Sequence, residues 1–250
     1  MPENAWHKAP MMDPEIFAVI VAGGKGLRME SAVRKQYLDL VGLPVLVHTL
    51  NRFHGYPGIS AIVLVVPEQD LGFCRDEILT PHGLDQSVIL VKGGAERQGS
   101  VRNGLSRVEA LARVRDTALV LIHDGVRPFV DIPMIQSCVN AAQKHGAAIP
   151  VVPVKDTLVK SDPEGFTGEN VDRNALFQVQ TPQCFDLDLV VRAHDHALET
   201  GFFGTDDASL VVHLGPRVFM TQGSAKNIKI TTQDDLVLAN AMANLECSEA

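Results

Sequence analysis

Cysteine is scarce in this chain: the four residues Cys74, Cys138, Cys184 and Cys247 stand far apart, and no Cys-x-x-Cys pair occurs. That argues against a disulfide framework or a cysteine-ligated zinc site and reads as buried thiols in a reducing cytoplasm. Apolar runs long enough to cross a bilayer are missing as well, so no membrane partner is expected. Positive charge is in deficit, with 22 Lys and Arg against 30 Asp and Glu and a formal net charge of −8. A nucleic-acid binder held by a broad basic face is therefore excluded, and any local cluster of cations marks a focused site for a small anion. Internal repeats and low-complexity tracts are absent. The first fifteen residues carry Asp13 and Glu15 and lack an apolar core. They read as a flexible N-terminal extension rather than a targeting peptide.

What is present is ordinary globular material: 250 residues, 46% hydrophobic and 21% charged, enough for a full core. Strand-like apolar runs at Ile16–Val21, Ile59–Val66, Ser87–Val91, Ala118–Ile122 and Ala147–Val152 alternate with segments of helical spacing. Those segments are Pro44–Phe53, Gln69–Leu79, Val101–Arg113 and Pro133–His145, with Pro44 and Pro133 suited to a first helical turn. The βαβα order predicts an α/β fold of Rossmann-like type, a mainly parallel twisted sheet with helices on both faces. Right-handed crossovers would gather the loops after the strand C-termini along one ligand-binding edge. Between residues 154 and 173 the pattern gives way to two extended pieces around Ser161-Asp-Pro-Glu-Gly165, a β-hairpin arm able to reach a partner subunit. Helical pattern resumes after Pro182, with a strand near Arg217–Thr221 and a last helix from Gln233 to about Leu245. One domain over 16–246 with an arm is the economical description.

The most telling stretch is Val21-Ala-Gly-Gly-Lys-Gly-Leu-Arg-Met29, which follows the first strand and precedes Lys35. Ala22, Gly23, Gly24 and Gly26 let the backbone approach a ligand and turn N–H groups toward an anion, and Arg28 and Lys35 supply charge. It is not a P-loop, lacking the Gly-Lys-Ser/Thr ending, and Met29 occupies the third glycine position of the dinucleotide fingerprint. Three other loops fall on the same edge. Lys92-Gly-Gly-Ala-Glu-Arg-Gln-Gly-Ser100 suits a base or sugar, or Ser100 only caps the following helix. His123-Asp-Gly-Val-Arg-Pro128 offers Asp124 to Mg²⁺, a cation that prefers oxygen ligands, unless Arg127 pairs with Asp124 structurally. His123 reads as structural, and His194 and His196 face different sides of a helix. Lys226 and Lys229 bring cations to the loop before Thr231, and Thr205-Asp-Asp-Ala208 sets paired acids beside a hydroxyl.

Taken in order, AGGKGLRM (22–29), KQYL (35–38), GGAERQGSVRNGL (93–105), HDGVRP (123–128), PVKDT (153–157), VDRNALF (171–177), QTPQ (180–183), TDDAS (205–209) and NIKIT (227–231) resemble the 2-C-methyl-D-erythritol 4-phosphate cytidylyltransferases of the non-mevalonate isoprenoid pathway. The resemblance runs from about residue 16 to the last helix. It implies that CTP and the polyol phosphate give the CDP-alcohol and pyrophosphate with Mg²⁺, in a cytoplasmic homodimer. It also implies that Arg28 and Lys35 bind the triphosphate and stabilise the pentacoordinate phosphorus, with Lys229 adding charge and Asp124 holding the metal. Gly94, Ala95 and Ser100 would line the cytosine and ribose pocket, and Arg127, Thr181 and Thr205 would complete the substrate site. Asp156, Thr157 and Arg173 would lie on an arm that crosses the dimer interface to grip the neighbour's sugar phosphate. A phosphate oxygen is already an adequate nucleophile, so the absence of a Ser-His or Cys-His device agrees with catalysis by positioning and charge.

The chain departs from that family where Gly23 replaces an alanine, Arg34 a proline, Ala95 an aspartate and Gly125-Val126 a pair of alanines. HDGVRPF and the Gly23-Gly24 pair keep open a ribitol 5-phosphate cytidylyltransferase. A non-catalytic nucleotide-binding protein on the same fold is the other alternative, although it would not need Arg28, Lys35, Asp124 and Lys229 together.

Overall fold

The structure, a computed structural model, describes residues 14–23 and 34–249. Chain order is β1 (Ile16–Val21), β2 (Asp39–Leu40), β3 (Leu43–Pro44), α1 (Val45–His54), β4 (Ile59–Val66), the short α2 (Leu71–Phe73), β5 (Val88–Lys92), α3 (Arg97–Leu111), β6 (Leu119–Asp124), α4 (Ile132–His145) and β7 (Ala147–Pro153). The hairpin β8 (Leu158–Ser161) and β9 (Thr167–Val171) follows. After it come β10 (Phe177–Val179), β11 (Gln183–Asp186), α5 (Leu187–Thr200), α6 (Asp207–Leu214), β12 (Phe219–Gln222) and α7 (Gln233–Glu249).

The main sheet runs β10-β7-β11-β6-β1-β4-β5, with β12 also on β7. β1, β4, β5 and β6 are mutually parallel, as is β12 with β7, whereas β10 and β11 run antiparallel to their neighbours. Register aligns the strand ends: Val21 lies opposite Asp124 on one side and Val65 on the other. The loops that leave these strands therefore open on one edge.

Every residue of β1 is buried, so its sequence is a continuous apolar run, as a central strand covered on both faces requires. Its side chains alternate between two cores. Ala18 and Ile20 join Leu46, Leu50 and Phe53 of α1 and Ile135 and Cys138 of α4. Phe17 and Val19 join Val101, Leu105 and Val108 of α3 with Val190 and Val191 of α5. Gly104 sets how closely α3 approaches the sheet, because a Cβ there would sit 2.5 Å from Val19 Cγ1. A third cluster seats Leu236, Ala239 and Ala243 of α7 against Leu40, Val45, Val126 and Ile230.

The predicted helix over Gln69–Leu79 differs in kind, since residues 68–82 wind as successive short 3₁₀, α and π turns. The helix placed at Val101 begins at Arg97, with Glu96 as its N-cap, so Ser100 lies inside the first turns and does not cap them. The segment after Pro182 does not go straight into helix: β11 forms first and inserts between β6 and β7, and the Asp186 carboxylate then caps α5 by accepting the Leu189 N–H. α7 continues past Leu245 to Glu249. The two extended pieces of the arm form β8 and β9 as expected.

Candidate active site

The aligned ends of β1 and β6 and the start of α3 surround a cavity of about 410 Å³, in the range of small-ligand sites. Its walls include Ala22, Gly23, Lys35, Gly94, Ala95, Ser100, Asp124 and Lys229, so residues from five separate sequence motifs meet there.

The glycine-rich loop leaves the sheet with its base held. The Ala22 N–H donates to Val65 O at 2.9 Å, and the buried Gln36 amide donates to Ala22 O at 2.7 Å. Gln36 thereby ties the return of the loop to its departure and sets Lys35 at the cavity wall. Gly24, Gly26 and Arg28 lie outside the described residues.

On the opposite wall Gly94 packs on the first turn of α3, where a Cβ would come within 2.8 Å of Gly99 backbone carbon. The Ser100 hydroxyl accepts the Gly94 N–H at 3.1 Å and donates to Glu96 O at 3.0 Å. Its work is to fold this loop over the helix N-terminus, a position where free N–H groups favour an anion.

Asp124 ends β6 inside the cavity. Lys229 Nζ donates to it at 2.8 Å, Arg97 Nε lies 3.5 Å away and Arg127 Nε 3.7 Å. Burial pushes its carboxyl up, but Lys229, then Arg97 and Arg127, outweigh that and hold it well below the usual carboxylate range. A salt link between Arg127 and Asp124 and a place for Asp124 in the cavity are thus both present, where sequence offered them as alternatives. Among the described residues no group of three or more metal-ligating side chains occurs, so a closed protein cage is not formed. Asp124 and Glu96 are the carboxylates of the cavity wall, and an ionised carboxylate beside open space fits Mg²⁺, which binds through one or two carboxylates and substrate oxygens.

Behind Asp124 runs a chain of neutral hydrogen bonds. His123, fully buried, donates from Nε2 to Arg127 O at 3.0 Å. Its Nδ1 accepts from the Thr181 hydroxyl at 3.0 Å, and that oxygen accepts the Asp124 N–H at 3.2 Å. Both ring nitrogens are satisfied in the uncharged tautomer, which burial favours by lowering this imidazole to about 4. Thr181 therefore lies under the site as a support for the Asp124 backbone. Arg127 donates to Asn227 O at 2.8 Å, Asn227 donates to Thr181 O at 2.8 Å, and the Ile230 N–H reaches Val126 O at 2.9 Å. These bonds hold the loop that carries Lys229, so Arg127 also acts from behind the cavity wall.

The remaining expected residues are elsewhere. Asp156, Thr157 and Arg173 are exposed at the root of the arm, where the Arg173 guanidinium donates to Lys155 O. Thr205 is exposed and immediately precedes Asp206, the N-cap of α6. Arg97, Glu96, Gln36 and Val126 line the cavity without having been singled out. Arg97 had a signal, being a lone cation between glycines at a strand-to-helix junction.

The sequence pattern of the family described as IspD, 2-C-methyl-D-erythritol 4-phosphate cytidylyltransferase, matches residues 16–244. The chain is 45% identical over 235 residues to the 2-C-methyl-D-erythritol 4-phosphate cytidylyltransferase of Syntrophus aciditrophicus, covering 94% of this chain and 98% of the relative. It is 48% identical over 226 residues to the enzyme of that name from Syntrophotalea carbinolica, covering 90% and 95%. The crystal structure of 4-diphosphocytidyl-2C-methyl-D-erythritol synthase from Anaerococcus prevotii superposes with a TM-score of 0.78 at 31% identity, over 93% of this chain and 97% of that one. Fold, site motifs and relatives agree over nearly the whole length: the chain belongs to the 2-C-methyl-D-erythritol 4-phosphate cytidylyltransferase family.

Proposed function

We propose that this chain transfers a cytidylyl group from CTP to 2-C-methyl-D-erythritol 4-phosphate in isoprenoid biosynthesis. A phosphate oxygen of the polyol phosphate attacks the α-phosphorus of CTP, the bond from that phosphorus to the β-bridging oxygen breaks, and pyrophosphate leaves. The observation that carries the reading is the Asp124–Lys229 pair at the strand edge, facing Lys35 and the Ala22–Gly23 loop start across one cavity. Lys35 and Arg28 bind the triphosphate and take up the charge that grows on the α-phosphoryl oxygens. Lys229, on a loop and partly exposed, turns from Asp124 to the incoming phosphate. Gly94 and Ala95 form the wall for base and ribose through their backbone. Fixed cations aimed at a developing charge need little rearrangement as the reaction proceeds. Mg²⁺, held by Asp124 together with phosphate oxygens, would neutralise part of the triphosphate charge.

Residues 16–246 act as one catalytic domain, and the arm makes it a homodimer in which Asp156, Thr157 and Arg173 grip the sugar phosphate bound by the neighbour. Support comes from Leu158, Val159 and Phe166, which the arm leaves exposed, on a two-stranded hairpin that is marginal without a packing partner. A cytoplasmic location suits the thiols, since burial pushes Cys74 up to about 12 and Cys138 to about 11, away from reactive thiolate. Among the described residues no helix is long and apolar enough to cross a membrane.

The deciding experiment is pyrophosphate release from CTP with each acceptor. Release that needs both methylerythritol phosphate and Mg²⁺ is expected. Strong preference for ribitol 5-phosphate would replace the acceptor, and CTP binding without release for either acceptor would point to a nucleotide-binding protein.

A further inference from the structure

A buried ion pair lies outside the chemistry just described. Asp207, the first residue of α6, is 1% exposed and accepts from Arg97 at 2.8 Å and from His194 Nε2 at 3.1 Å. His194, on α5, is itself buried. Arg97 is the link to the cavity, since its other nitrogen lies 3.5 Å from Asp124. A buried ion pair of this kind is weak support for stability, because apolar residues of similar volume often serve the fold as well. Its geometry has a clearer use. Of the cations around Asp124, Lys229 is the most exposed and sits on a loop, whereas Arg97 is tied to a carboxylate that is 1% exposed and bonded on its other oxygen to His194.

We propose that Arg97 is a positioning residue, clamped by the buried Asp207–His194 pair so that Asp124 keeps its place when Lys229 turns to the substrate phosphates. The clamp joins the TDDAS segment and α5 to the cavity, although neither Asp207 nor His194 lines it. His194 donates its Nε2 proton to Asp207, which leaves the carboxylate satisfied on both sides and the guanidinium fixed in the plane that reaches Asp124.

The proposal rests on the cytidylyltransferase reading. The unmodified chain is assayed alongside, and if it releases no pyrophosphate that reading fails first. With an active parent, Asp207→Asn and Arg97→Gln are each expected to lower kcat about 10²-fold, the scale of a small misplacement of a reacting group. CTP affinity measured by calorimetry should stay within a few fold of the parent (about threefold), because the clamp acts on position more than on binding. The Asp207→Asn/Arg97→Gln double variant should be no slower than Arg97→Gln alone, since Asp207 acts only through the guanidinium. Arg97→Lys should recover part of kcat. If Asp207→Asn does not fold, His194→Gln, whose amide still donates, and Arg97→Lys carry the same test with smaller losses in kcat. Full kcat in Arg97→Gln, or losses that multiply in the double variant, would overturn the proposal. So would variants that lose thermal stability with parental kcat.

Discussion

The cavity and the arm belong to one proposed site, yet they are built by opposite means. Around Asp124 the side chains are held from within the protein: Thr181 by His123, Arg127 and Gln36 by the backbone carbonyls of Asn227 and Ala22, and Asp124 by three cations. At the arm, Asp156, Thr157 and Arg173 stand in solvent on a hairpin with no core of its own. The cavity brings its charges to the reaction already oriented, while the arm must gain its order from whatever packs against it. On the proposed function, the contrast separates turnover, at the cavity, from acceptor capture, at the arm.

The largest test of that division is Lys35→Ala. Removing a charge aimed at the transition state is expected to lower kcat on the order of 10²–10³-fold with the fold intact, read by steady-state pyrophosphate release and circular dichroism; parental kcat would take Lys35 out of the mechanism. Arg173→Ala should instead raise KM for the polyol phosphate about 10- to 100-fold, the range of one lost charge-assisted hydrogen bond, and leave KM for CTP unchanged. A matching rise in both KM values would erase the distinction between the two regions.

The third test concerns stability against pH. His123 is lowered to about 4 in the fold from an unfolded value near 6.5, so below that value the unfolded chain takes up a proton that the folded chain refuses. Its contribution is complete above about pH 7 and is lost as pH falls from about 6.5 to 4, by an amount on the order of 3 kcal/mol. Urea unfolding at stepped pH checks it: His123→Gln should flatten the slope in that window, and an unchanged slope would assign it to other groups. The smallest effect is expected on the arm, where Phe166→Ser should change monomer stability by less than about 0.5 kcal/mol while weakening self-association in sedimentation. A large loss of monomer stability would mean that the hairpin is part of the core after all.

Much of the cavity side was legible in the sequence because it is built from uninterrupted strands. β1 and β4 match their apolar runs residue for residue, and the glycine and cation motifs follow the ends of those strands. The misses have physical causes. The first turn of α3, Arg97-Gln98-Gly99, carries no apolar periodicity, so its helix is set by the loop that Ser100 folds over it. β10 and β11 are three and four residues long, too short for alternation to show. Residues 68–82 have helical spacing, yet Pro81 and Gly83 and the packing of Cys74, Ile78 and Leu79 divide them into different turns. The paired acids of Thr205-Asp-Asp-Ala208 were visible, but not that Asp206 caps a helix while Asp207 lies buried against Arg97. Contacts that distant in sequence leave no local pattern.

The ladder between β1 and β6 has a consequence for how such a chain can vary. Ile20 is paired with His123 and Val21 with Asp124, and consecutive strand residues point to opposite faces. His123 accordingly meets Phe53 of α1, with ring centres 4.9 Å apart, while Asp124 faces the cavity. Deleting a single residue from β6 would exchange the faces, leaving a carboxylate against a phenyl ring and an imidazole in the core position of Ile122. Insertions and deletions are thus barred from a six-residue stretch, yet the exposed turn at Ser161–Gly165 has no such constraint. Length variation across relatives should gather at that turn and spare the strand.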